Sequence, residues 1–115
     1  MTEAESDMTE AETDEKTAEL LAAIWLRNRP LVEGRLALLE RAATAAAEGT
    51  FSEELREEAS HTAHKLAGSL GMYGYDEGTR IAREIEVLLA AEATPDAARL
   101  GNMVGDLRRA VFPGA

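Results

Sequence analysis

Apolar residues recur along most of this chain at three- and four-residue intervals, and no stretch alternates apolar with polar at every second position. That periodicity requires amphipathic helices packed on one another and leaves no basis for a sheet. Leu20, Leu21, Ile24 and Trp25 open the pattern. Arg27-Asn28-Arg29-Pro30 interrupts it, and Pro30 is well placed for the first turn of a new helix. Val32, Leu36, Leu39, Ala43 and Ala46 then form a stripe, widened by Leu38, Ala42 and Ala45 and ended by Gly49. Ser52 reads as an N-cap with Glu53 and Glu54 in the first turn. Leu55, Ala59, Ala63, Leu66, Leu70 and Tyr73 follow, closed by Gly74. Asp76 is expected to cap a helix carrying Ile81, Ile85, Leu88 and Leu89. Thr94-Pro95-Asp96 starts the last one, marked by Leu100, Met103, Val104, Leu107 and Val111 and ended by Phe112-Pro113-Gly114.

The expected fold is all-α: an antiparallel, up-down-up-down four-helix bundle with a shorter additional N-terminal helix. Short turns between the segments make neighbouring helices antiparallel. A chain of 115 residues suits one domain. Ala and Leu dominate the apolar residues, and the aromatics are only Trp25, Phe51, Tyr73, Tyr75 and Phe112, which suits close-packed helices. Of the net charge of −10, residues 1–16 carry −6, from seven acids and Lys16. That segment reads as an acidic, disordered tail, and residues 17–115 as the bundle.

Charge and composition also exclude functions. A chain this acidic is repelled by nucleic acid and by anionic membranes. The absence of cysteine removes disulfides, thiolate metal sites and a cysteine nucleophile. No apolar run approaches the ~20 residues of a membrane span, and no basic-then-apolar leader opens the sequence. A cytoplasmic monomer is the expectation.

The segment from Ser52 to Tyr73 carries the chemistry. At about 100° per residue, Leu55, Ala59, Ala63, Leu70 and Tyr73 fall within about 60° of Leu66 and form the core face. His64 falls about 160° from Leu66, His61 near −140°, Glu57 near 180°, Gly68 near −160° and Gly71 near 140°. Ser60 and Ala67 stand at the edge of this outer face. A glycine inside a helix costs roughly 0.5–1 kcal/mol relative to alanine. Two of them just past an outward histidine read either as bare backbone that lets another molecule approach the imidazole, or as easing close packing with another helix or marking a bend.

The stretch Ala63-His64-Lys65-Leu66-Ala67-Gly68-Ser69-Leu70-Gly71-Met72-Tyr73-Gly74 resembles the histidine-containing phosphotransfer (HPt) domain family. Arg80-Ile81-Ala82-Arg83-Glu84-Ile85-Glu86 is similar to that family's apolar, Ile/Leu-Glu ending on the next helix. The resemblance implies a phosphoryl carrier without turnover of its own. In it, His64 accepts a phosphoryl group from an aspartyl-phosphate on a response-regulator receiver domain and passes it to another receiver. It implies receivers and a hybrid histidine kinase as partners, no cofactor held by this chain, and magnesium supplied by the receiver. Gly68 and Ser69 match the family's glycine and the small polar residue after it. Many members carry lysine three residues after the histidine, where this chain has Ala67. Lys65 is then either the cation beside the phosphoryl group or a plain surface lysine. His61, one turn before His64, is either a bystander or a hydrogen-bonding neighbour of the docked receiver. His61, Lys65, Ala67, Gly68, Ser69 and Gly71 together make up the expected docking and phosphoryl environment.

Two other readings fit the same residues. One is a helical module that binds partners without phosphoryl transfer. The other is a metal site from Glu57, His61 and His64 on one helix face.

Overall fold

The computed structural model describes residues 10–114. Among these the chain forms four helices and no strand: α1 (Glu10–Glu48), α2 (Glu53–Met72), α3 (Asp76–Leu89) and α4 (Ala97–Val111). Each helix packs on the two beside it, α1 on α2, α2 on α3, α3 on α4 and α4 back on α1. Leu36, Leu39, Leu66, Leu70, Ile85, Leu89, Leu100 and Leu107 are fully buried where the four meet.

The stop and start signals explain most boundaries. Gly49 and Gly74 have φ of 76° and 81°, left-handed conformations that glycine adopts without a Cβ penalty, and they follow the ends of α1 and α2. The Ser52 side chain accepts from the Leu55 amide at 3.1 Å, and Asp96 accepts from the Arg99 amide at 3.1 Å. Both are side-chain N-caps. Asp76 is not: it is the first residue of α3, Tyr75 holds the cap position, and no side chain bonds there. Asp76 and Glu77 instead place negative charge against the amide end of the helix.

The expected break at Arg27–Pro30 does not occur. Pro30 lies inside α1, so the expected N-terminal helix and the first bundle helix are one element of 39 residues. Proline removes one backbone hydrogen bond and costs about 3 kcal/mol in a helix interior. Contacts on both sides of it offset that cost. Before it, Trp25 stacks with Tyr73, Tyr75 and Phe112 at centroid distances of 5.2, 4.9 and 5.8 Å. Asn28 Nδ2 donates to the Tyr73 hydroxyl at 2.9 Å. After it, Val32 and Leu36 are buried in the core. Tertiary anchoring on one continuous face thus overrides the local signal.

The same helix runs into the segment expected as an acidic tail. Residues 10–16 are helical, continuous with the bundle; residues 1–9 lie outside the described residues. Residues 12–20 are exposed along their length. The helix therefore extends past its neighbours, and the molecule measures 67 × 27 × 19 Å.

Arg108, in the last turn of α4, ties that helix to α1. Its Nε and Nη2 donate to the two Glu40 carboxylate oxygens at 2.9 and 3.0 Å, and Nη1 donates to Glu33 at 2.9 Å. These bonds, Glu40's first, raise the Arg108 pKa above its usual value. The hydrogen bond from Arg108 holds the Glu33 carboxyl below the usual carboxylate range. No helix among the described residues is long and apolar enough to cross a membrane.

Candidate functional site

The site is built by the antiparallel pairing of α2 with α3. Gly71 passes Thr79, whose Oγ1 lies 3.5 Å from where a Cβ on the glycine would stand. Two turns back along α2, His64 Nδ1 lies 3.0 Å from Glu86 Oε2. One turn further back, Ser60 and Ala90 line the same shallow groove. Close packing underneath holds this register. Gly78, in the first turn of α3, lies where a Cβ would come within 3.2 Å of both Leu70 and Val111. Ala63, Leu66, Ala67 and Leu70 are buried below the site.

His64 stands on the outside of this platform with 71% of its side chain exposed. Glu86 is acceptor-only when ionised, so its partner Nδ1 carries the proton. That bond orients the ring and leaves Nε2, the nitrogen farther from the backbone, outside the contact with Glu86. The arrangement is an exposed imidazole with one nitrogen held beside a carboxylate.

The other expected site residues divide. His61 is exposed and lines, with Arg56, Glu57, Ser60, His64, Glu86, Leu89 and Ala90, a groove of about 370 Å³. Lys65 is exposed. A Cβ on Gly68 would meet nothing within 4 Å, so this glycine does leave open space beside the histidine. Gly71 differs, because its bare side is turned toward Thr79 of α3. Ser69 is half-buried, and its hydroxyl returns to the Leu66 carbonyl at 3.4 Å. Ala67 is a correction: at 5% exposure it belongs to the core cluster, not to the outer face. A residue near 100° from the centre of the core face is covered wherever a neighbouring helix packs on that flank.

Among the described residues no three or more His, Asp or Glu side chains are grouped to hold an ion.

Sequence reasoning missed two contributors. Glu86 was visible as part of the Ile-Glu ending on α3, but its role needed the α2–α3 register. Arg56 gave no signal. It is 9% exposed, and its guanidinium donates to the carbonyls of Leu89 at 2.9 Å, Glu92 at 2.9 Å and Ala93 at 2.8 Å, and also to that of Ala91. The last carbonyls of a helix have no partner within it. Arg56 satisfies that end of α3 and the segment after it, three residues past Glu86. The Phe51 ring stacks against it, 5.1 Å from Cζ.

A helical bundle that holds an exposed, carboxylate-oriented imidazole on a glycine-bared face agrees with the resemblance to histidine phosphotransfer proteins. The family model described as the Hpt domain matches residues 29–110, and the chain belongs to that family. Neither the curated proteins nor the solved structures compared with it give a match. Membership carries a general role in phosphotransfer and phosphorelay signalling.

Proposed function

We propose that this chain is a phosphorelay carrier in the cytoplasm, in which His64 accepts a phosphoryl group from a receiver-domain aspartyl-phosphate and yields it to another receiver. The observation that carries this reading is the 3.0 Å contact between His64 Nδ1 and Glu86 on an otherwise exposed ring. The Nε2 lone pair attacks phosphorus and an N–P bond forms. The P–O bond to the aspartate breaks, and its electron pair returns to the aspartate carboxylate. The Nδ1 proton stays on the ring, so the phosphorylated imidazole is positively charged, and Glu86 offsets that charge. Reversal of the same steps delivers the phosphoryl group onward. The receiver's magnesium ion supplies charge neutralisation at the phosphoryl oxygens. This chain contributes position: a rigid helix, a fixed ring and room for a partner. It turns nothing over on its own.

The defining experiment is incubation with phosphorylated receivers of the source organism. Acid-labile, base-stable label on the chain is expected; label from none of them would leave the non-transferring interaction module as the better reading.

Two variants probe the machinery. Glu86→Ala is expected to slow transfer about tenfold, as loss of an orienting partner does, with Glu86→Gln intermediate because its amide oxygen still accepts from Nδ1. Single-turnover transfer rates measure both. At Gly68, alanine fills open space and is expected to raise stability by about 0.5–1 kcal/mol through helix propensity. Gly68→Gln is expected to cut the transfer rate by an order of magnitude or more while thermal stability holds, because its bulk occupies the partner's approach. Unchanged transfer by Gly68→Gln would refute the docking role of this face.

A further inference from the structure

Position 67 is a buried alanine here, so a cation of this chain beside a phosphoryl group on His64 would have to come from another position. Arg56 lines the groove, but its guanidinium is engaged by four backbone carbonyls. Lys65 lies about 100° round the helix from His64, on the side away from Glu86. His61 remains. It lies three residues before His64 and shares its groove. Helical side chains lean toward the helix N-terminus, so a group on His64 Nε2 extends over the turn that carries His61. Residues three apart on a helix have Cβ atoms about 5–6 Å from each other, within reach of an imidazole N–H and a phosphoryl oxygen.

Resting on His64 as the acceptor, we infer that His61 is the phosphoryl-binding cation of this carrier: protonated, it donates to the phosphoryl oxygens on His64. The charged groups round it are Arg56, Glu57, Glu58, His64 and Lys65 on α2 and Glu86 on α3. Glu57 lies four residues earlier on the same face and lines the same groove. The consequence is pH dependence. An imidazole loses its charge near pH 6.5, so a histidine in the lysine's role binds the phosphoryl group strongly in mild acid and weakly in mild base. The phosphorylated form binds this proton more tightly than the free form. Low pH therefore favours phosphoryl on the carrier, and that preference is lost as pH rises through the titration of His61 in the phosphorylated form.

The test measures the equilibrium share of phosphoryl between carrier and receiver, from about pH 5.5 to 8, for wild type, His61→Gln and His61→Lys. An equilibrium share does not depend on how fast the proteins dock, and the receiver's own pH dependence is common to all three. At low pH wild type is expected to match His61→Lys, with about fivefold more phosphoryl on the carrier than His61→Gln, the ~1 kcal/mol of a unit charge pair at 4 Å in water. At high pH wild type is expected to fall to the level of His61→Gln while His61→Lys stays high. Three coincident profiles, with all three proteins phosphorylated on His64, would overturn the role of His61 and leave the carrier function intact. Failure of wild type to be phosphorylated would remove the carrier function itself.

Discussion

His64→Gln is expected to abolish phosphoryl labelling while leaving the helical content and melting temperature of the bundle unchanged. The ring is largely exposed and its one side-chain partner in the fold is Glu86, itself about one-third exposed. Surface ion pairs contribute little to stability, so losing this one costs the fold less than about 1 kcal/mol. Chemistry, in contrast, loses its nucleophile outright. An amide nitrogen has no basic lone pair to attack phosphorus, so no partial activity is expected. Circular dichroism and intact-mass labelling on one preparation separate the two effects. His61→Gln is the control: it keeps the labelled residue, and the label should remain on it.

The largest effect on folding is expected from Arg56→Ala, which should destabilise the chain by about 3 kcal/mol. Hydrogen bonds to a charged donor contribute about 1.5–3 kcal/mol, and an acceptor left buried without a partner adds its desolvation. Arg56 closes the end of α3 and the segment after it through four carbonyls, and its side chain is 11% exposed. Water can reach some of those carbonyls once the side chain is gone, which keeps the cost below the sum of the bonds. A drop in melting temperature on the order of 10 °C follows for a domain of this size. Arg56→Lys is expected to recover only part of it, because an ammonium cannot reproduce the planar fork. Urea unfolding reads both variants, and a loss below about 1 kcal/mol for the alanine variant would contradict this role. Phosphotransfer should survive in the folded fraction, since Arg56 does not touch the imidazole.

The two residues differ in how much of their surroundings a local sequence pattern carries. His64 was legible because it breaks a local rule. Its helix face carries glycines where neighbouring faces carry charge; Gly68 leaves open space there, while Gly71 faces Thr79 of α3. The cap at Ser52 and the stop at Gly49 were legible because they act within a few residues, whereas the last helix, expected to start at Thr94-Pro95, is capped by Asp96. Arg56 was not, because its partners lie 33 to 37 positions away and its charge argues for the surface. Glu86 was likewise hidden until α2 and α3 were placed side by side. Pro30 misled for a related reason. Its local cost is real, but Trp25 and Val32 on either side are anchored by packing that no window of sequence contains. Ala67 shows the limit of a helical wheel, which gives an angle but not which flank a neighbour covers.

The central claim is that Nε2 of His64 carries the phosphoryl group. A phosphorus–proton correlation spectrum of the chain, recorded after transfer from a phosphorylated receiver, locates that group directly. Coupling of one phosphorus to the His64 ring in the pattern of Nε2 substitution is the expected result. Phosphorus on Nδ1, or on any residue other than His64, would contradict the account.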